Sequence, residues 1–371
     1  PNPEARGPVL FVLNKGLTYG GLYSYNHVLD GDSESVLSVD RVVTMAATGG
    51  EANPEGIVWG YPRLGPAPAR AWARLRLFVG CVRAAGFVSW STSWLLAGVS
   101  TRAKERALAL AQDLPDVSVA VLAYDQQVRV DLVLALESSG VRTVALNERP
   151  LSLVVRSQPL ATHTLLTAST WFSAQARDSP SAAVNLPLAV GMWRTDFLVQ
   201  YAGQEPHPIV ARARSEQRSV IVALPYHVSD HSFANSLATS CESVRHFLTN
   251  ILDIAEKHPE AVVVIRGKDA AWLEHDAFSD LVLRSRALSN VIVSDDYGQF
   301  NESYRLVAGA DLVIAKYTSL VDEALAFGIP CLVHDYTPTA RGIARPVVTY
   351  LPDEVWVEND HDLQIRVDEV L

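Results

Sequence analysis

Cysteine is scarce in this chain, with three residues in 371. Cys81, Cys241 and Cys331 stand far apart in apolar surroundings, which excludes a disulfide scaffold and the paired spacings of a metal centre. They read as core residues of a protein from a reducing compartment. Charge is sparse too, at 19% of residues, and its balance is acidic, −10 at neutral pH with a pI near 5.5. That balance excludes a general nucleic-acid binder, although a local basic patch can still meet an anionic ligand. No apolar run has the length of a membrane span and no N-terminal stretch has the layout of a signal peptide, so a soluble or peripheral protein is expected. The chain opens on Pro1 without a methionine, as one domain of a larger polypeptide would.

What is present in quantity is apolar surface, 49% of residues. That content describes a packed globular protein and argues against disorder. The length exceeds one ordinary domain and fits two of about 150–200 residues each.

The most informative stretch is Ala310 to Asp335, ADLVIAKYTSLVDEALAFGIPCLVHD. DLVIA and PCLVHD have the length and β-branched content of buried parallel strands, with a helical pattern between them. The helix opens at Lys316-Tyr-Thr-Ser319, carries Glu323 in its early turns and stops at Gly328. Free N–H groups, two hydroxyls, a lysine and the positive end of the helix dipole therefore converge on one point suited to a phosphate. For an isolated motif of this kind, a plain helix cap at Thr318 or Ser319 is the commoner explanation.

In chain order, Val9 to Leu13 reads as a strand, followed by a glycine turn with Gly20 and Gly21 and a helix to about Leu29. The glycines let backbone approach a ligand closely, or serve the turn alone. Residues 45–68, rich in Gly, Pro and Ala, read as loop. From Ala69 to Val99, Arg70, Arg74, Arg76 and Arg83 interleave with Trp72, Phe78, Trp90 and Trp94. That composition suits an anionic membrane surface or, by base rates more often, a packed helix whose arginines reach out from its edges. Helix from Thr101, strand from Val117, helix Val130 to Ser138 and strand Thr143 to Leu146 continue a parallel sheet, whose ligands belong at the carboxyl ends of the strands. Glu148 and Arg149 stand at such an end, placed for acid/base work or a sugar hydroxyl, with a surface ion pair as the alternative.

Residues 200–217 are polar and proline-bearing and read as a linker. A second α/β unit starts at strand Ser219 to Leu224, and the loop after it gathers His227, Asp230 and His231. Strand Ala261 to Ile265 ends in Arg266 and Lys268, a cationic end suited to a phosphate or a sugar-acid carboxylate. His246 and His258 read as ordinary helix-surface residues, and Asp295-Asp296 as a solvated loop rather than a metal site.

The pattern S-x-x-x-E-A-x-x-x-G-x-P between two strands resembles the nucleotide-sugar segment of GT-B glycosyltransferases. The order NERP, PYHVSDHS, VIRGKD and SDDYGQF through FGIPCLVHDYT, spanning about 144–337, resembles bacterial surface-polysaccharide transferases, most of all the retaining β-Kdo transferases that use CMP-Kdo. The resemblance implies an α/β fold of the GT-B kind, two Rossmann-like doubly wound domains facing a central cleft. These would be an acceptor-side domain over 1–200, the linker over 201–217 and a nucleotide-sugar domain over 218–371. It implies Asp230 as nucleophile and Glu148 as acid/base partner. Arg266, Lys268, Lys316, Thr318 and Ser319 would meet the phosphate and Glu323 the ribose, with Gly20, Gly21, Arg149, His227 and His231 as substrate contacts. No metal or other cofactor is implied beside the donor. The partners implied are a lipid-linked glycan acceptor and peripheral contact with a membrane, at the inner, cytoplasmic face of the cytoplasmic membrane. One departure is that His258-Pro259 precedes its strand, where related CMP-sugar transferases carry a His-Pro at the phosphate strand, so Arg266 and Lys268 would serve the phosphate. An inverting transferase with a UDP- or CDP-linked donor, a UDP-sugar 2-epimerase-like enzyme and a non-catalytic interaction domain stay open as alternatives.

Overall fold

The computed structural model describes residues 9–13, 42–46, 71–72, 75–76, 78–79, 91–101, 117–122, 130–147, 160–179, 182–192, 194–225, 241–267, 271–294, 302–316, 318–334 and 350–371. The chain forms two units, Pro1–Gly191 and Met192–Leu371. Each carries one parallel sheet.

In the first unit the strands are β1 (Val9–Leu13), β2 (Val42–Ala46), β3 (Val119–Leu122), β4 (Arg142–Leu146), β5 (Leu160–Thr167) and β6 (Ala182–Ala189). They lie in the order β2-β1-β3-β4-β5-β6. The apolar helix α1 (Val130–Ser138) connects β3 to β4. Helix α2 (Thr170–Asp178) connects β5 to β6, and the Ser169 side chain caps it by accepting from the Phe172 N–H. Pro187 falls within β6, the last strand of the sheet, where a missing donor is tolerated because pairing is needed on one side only.

The second unit opens with helices α3 (Thr195–Ala202) and α4 (Pro208–Ser215). Within 201–217, the stretch read from sequence as a linker, α4 is a regular helix. Pro208 sits in its first turn, where no intrahelical N–H is required, and the His207 ring accepts from the Ile209 N–H. Val210 and Ala213 bury its inner face. The loss of a donor that makes proline look like a helix breaker has no cost at this position.

Strands β7 (Val220–Leu224), β8 (Val262–Ile265), β9 (Val291–Val293), β10 (Leu312–Ala315) and β11 (Cys331–Val333) form the second sheet, in the order β11-β10-β7-β8-β9. Every residue of β7, β8 and β10 is buried, as expected for parallel strands covered on both faces. Helix α5 (Cys241–Lys257) is strongly amphipathic and presents Phe247, Ile251 and Ile254 to a core shared with Trp272, Phe278 and Leu363. A short turn of helix, α6 (Ala271–Glu274), then α7 (Ser279–Ala287) and α10 (Asp360–Val370) contribute to this core, while α8 (Glu302–Ala308) and α9 (Ser319–Phe327) pack against α3. Helix α9 stops at Gly328, which takes φ 92° and returns its N–H to the Ala324 and Leu325 carbonyls.

Gly309, just past α8, faces Val210 of α4. A Cβ built there would lie 2.6 Å from Cγ1 of Val210, 3.1 Å from Cγ2 and 3.3 Å from its Cβ, so no rotation of the valine clears it. Gly309→Ala is expected to cost about 1–3 kcal/mol through overpacking, with part regained in the Gly309→Ala/Val210→Ala double variant. Urea unfolding followed by tryptophan fluorescence measures both; a neutral Gly309→Ala would show that α4 is loosely seated.

Candidate functional site

In the second sheet the chain progresses outward from β7 in both directions, so its topological switch point lies between β7 and β10. Ligands of doubly wound sheets bind at the carboxyl ends of the strands at such a point. Four residues continue their strands by one position at that edge, and each is fixed by a backbone bond to its neighbour. The Arg266 N–H donates to Ala223 O at 2.9 Å, Ser294 to Ile265 O at 2.9 Å, Lys316 to Leu224 O at 3.4 Å and His334 to Ala315 O at 2.8 Å. Their positions are therefore set by the sheet.

Lys316 is 1% exposed, and its ammonium donates to the Ser243 hydroxyl in the first turn of α5. Arg266, also buried, donates from Nη1 to Ser294 Oγ at 3.2 Å and from Nε to Ser303 Oγ at 3.4 Å. Two cationic groups thus flank β7, one at the end of β10 and one at the end of β8. Three residues beyond Lys316, Ser319 begins α9, with Thr318 in extended backbone at its N-cap and no capping bond from its side chain. Backbone N–H groups at a helix start and buried cations are the donors that a phosphate accepts from.

Glu323 has a different setting. It is 0% exposed, and Oε1 lies 3.1 Å from Nε of Arg194, at the N-cap of α3. The same guanidinium donates to the Tyr304 hydroxyl at 2.6 Å from Nη2 and 3.2 Å from Nε. Burial first, and then the Glu323 carboxylate, raise the Tyr304 phenol well above its ordinary range. Through this group Glu323 joins α9 to α3 and α8.

Sequence reasoning passes over a second cluster. His334, at the end of β11, meets the Asn250 amide nitrogen at 2.9 Å, and the same nitrogen lies 2.6 Å from Asp360 Oδ1 and 3.3 Å from His246 Nε2. Burial, and then the Lys316 ammonium, push the His334 imidazole down to about 3. His246 is thus part of a cluster rather than an isolated surface residue. His258 is buried as well, between Glu260 and Asp368. A third buried pair joins the His207 ring to the Glu302 carboxylate. Apart from His246–Asn250 and His258–Glu260, the partners in these groups lie 84 to 114 positions apart, so no local spacing brings the groups together.

Asp230, Glu148, Lys268, Gly20, Gly21, Arg149, His227 and His231, along with Asp295 and Asp296, lie outside the described residues. Of the expected site residues, Arg266, Lys316, Thr318 and Ser319 stand at the carboxyl edge of the second sheet, and Glu323 lies one turn further along α9.

In the arginine- and tryptophan-bearing region of the first unit, the described residues of 71–79 and 91–101 are helical. Phe78, Ser93 and Ala97 are buried, but Trp72 is 57% and Trp94 54% exposed, with Leu95 and Leu96 beside them. The Arg76 guanidinium lies 5.6 Å from the centre of the Trp72 ring. A fully packed helix is therefore too simple a description. Among the described residues, no helix is long and apolar enough to cross a membrane.

No protein-family model matches the chain and no curated protein matches it in sequence. Its structure is similar to UDP-GlcNAc 2-epimerase from Methanocaldococcus jannaschii, with a TM-score of 0.56 and 12% identity over 97% of this chain and 92% of that one. UDP-GlcNAc 2-epimerase from Neisseria meningitidis, bound to UDP-GlcNAc, gives 0.52 and 14% over 98% and 91%. The N-terminal domain of Candida albicans trehalose-6-phosphate phosphatase gives 0.50 and 11% over 98% and 89%. At such identities the likeness is one of fold. The fold is α/β of the GT-B kind with two Rossmann-like parallel sheets, and the similar structures belong to sugar-processing proteins.

Proposed function

We propose that the chain is a nucleotide-sugar enzyme, a glycosyltransferase of bacterial surface-polysaccharide synthesis that moves Kdo from CMP-Kdo to a lipid-linked glycan with retention. The observation that carries the nucleotide-sugar part is the pair of buried cations, Lys316 and Arg266, on either side of β7 at the switch point, with the start of α9 beside Lys316. The donor phosphate would take hydrogen bonds from Lys316, from Ser319 and from the free N–H groups of α9. Arg266 and Lys268 would meet the phosphate or the sugar-acid carboxylate. Glu323 enters this reading as the residue that anchors α9 through Arg194 and Tyr304. Support for transfer, for Kdo and for retention comes from the sequence resemblance, with Asp230 as nucleophile and Glu148 as acid/base partner. Exposed Trp72 beside Arg76, together with exposed Trp94, supports peripheral contact with an anionic bilayer.

A second reading is favoured by the fold likeness to two UDP-GlcNAc 2-epimerases, namely that the same phosphate site holds a UDP-sugar for epimerisation. Thermal shift with CMP, UDP, CDP and GDP separates the readings, because a ligand at about 100 times its Kd adds about 2.7 kcal/mol. Stabilisation by CMP supports the Kdo donor. Stabilisation by UDP, followed by NMR detection of an isomerised UDP-GlcNAc, supports the epimerase. No response to any of the four would reject a nucleotide site.

The phosphate contacts make a separate test. Lys316→Met is expected to weaken the stabilising nucleotide by roughly 1.5–3 kcal/mol, the range of a charge-assisted bond, and Ser319→Ala by about 0.5–1.5 kcal/mol. Both should raise the donor KM with circular dichroism unchanged. Equal affinity in wild type and both variants would remove the site from α9.

A further inference from the structure

The cluster of His246, Asn250, His334 and Asp360 has no part in the proposed function. Three rigid elements bring it together. His246 and Asn250 share one face of α5 at i, i+4 spacing. His334 is held at the end of β11 by its backbone bond to Ala315. Asp360 opens α10 directly after the N-cap Asn359, whose side chain accepts from the Asp362 N–H. One ligand atom each from His246, His334 and Asp360 lies within 4.8 Å of the other two, and His246 Nε2 and Asp360 Oδ1 are already 2.9 Å apart.

The arrangement of acceptors suggests what belongs at the centre. The Asn250 amide nitrogen lies within 3.3 Å of all three ligand atoms, so the three groups converge on one point. Turning the amide over brings Oδ1 into the same place, and four lone-pair donors then face one point, an arrangement that a cation stabilises.

We propose that His246, His334 and Asp360, with Asn250 Oδ1 or a water as the fourth ligand, bind one divalent transition-metal ion of the zinc class. Two imidazoles and a carboxylate suit that class, whereas calcium and magnesium take oxygen ligands. Metal–ligand bonds of about 2.0–2.2 Å in a tetrahedron require ligand atoms about 3.3 Å apart. The His246–Asp360 pair needs no contraction. The remaining closure falls to side chains with room to move, since the Asp360 side chain is 61% and the His246 side chain 34% exposed. The same exposure provides the entry path. The bound ion would join α5, the end of β11 and α10, and so tie the C-terminal helix to the second sheet. This site is independent of the enzymatic reading and separate from the metal-free donor chemistry that the sequence resemblance implies.

The test uses the whole chain without a histidine tag. Calorimetric titration with ZnCl2 should show one equivalent bound at micromolar affinity or tighter, and Co2+ should give the intense visible bands of a tetrahedral site. Zn2+ should also raise the melting temperature. His246→Ala and Asp360→Ala each should weaken binding about 100-fold or more, beyond the roughly 10–100-fold that changes to groups merely orienting a ligand cause. Asp360→Asn should show the same loss with the helix start undisturbed. His361→Ala, an exposed neighbour, should bind as wild type. Failure of the wild type to bind zinc stoichiometrically, or equal binding by His246→Ala and both Asp360 variants, overturns the proposal.

Discussion

Arg194→Met is expected to destabilise the second unit by about 3–5 kcal/mol, the range for removing one partner of a buried ion pair. The Glu323 side chain is 0% and the Arg194 side chain 12% exposed, with 3.1 Å between Nε and Oε1. Without the guanidinium, the Glu323 carboxylate would be left in a protein interior that solvates it poorly, and the Tyr304 hydroxyl would lose its 2.6 Å donor. The loss should appear as a lower urea midpoint with an unchanged slope. Arg194→Met/Glu323→Leu should recover much of it, because an apolar pair removes the stranded charge. A cost below about 1 kcal/mol for Arg194→Met would place the pair with surface ion pairs and would remove the anchor that holds α9, and with it the geometry of the phosphate site.

The second large effect concerns turnover. Asp230→Asn is expected to lower kcat by about ten-thousand-fold or more while nucleotide binding and the fold persist, as happens when a nucleophile is replaced by an isosteric neutral group. The expectation rests on sequence, namely a loop aspartate between His227 and His231 after β7, in a stretch resembling the retaining Kdo transferases. Intact-mass spectrometry after incubation with CMP-Kdo should show a sugar-sized increment mapping to the peptide that carries Asp230. Near-normal turnover in Asp230→Asn, or a product of inverted configuration, would reject the nucleophile role and leave at most a general base at this position.

Local pattern carried most of the architecture. Runs such as VIVAL and LVIA are short, β-branched and apolar throughout, which only strands buried on both faces require, and β7 and β10 form there. Gly328 marks the end of α9 because a left-handed residue is needed where the helix stops. Pro208 left α4 unmarked in the sequence, since the effect of a proline depends on whether it falls at the start of a helix or inside one.

What the sequence by itself determined is therefore the alternation of strands and helices, the approximate extent of most of them, and the cationic residues at strand ends. Each is written in spacings of two, three or four residues. The tertiary structure alone decided which distant side chains share a point. Strand order places β10 beside β7 and β11 beyond it, the first turns of α5 reach the carboxyl ends of β10 and β11, and α10 begins at the same edge. Arg194 thereby meets Glu323, and His246, His334 and Asp360 converge around Asn250. A sequence records such meetings only as single polar residues in apolar surroundings. The contacts themselves arise from the packing of whole elements, which buries apolar faces and brings along whatever polar groups those faces carry.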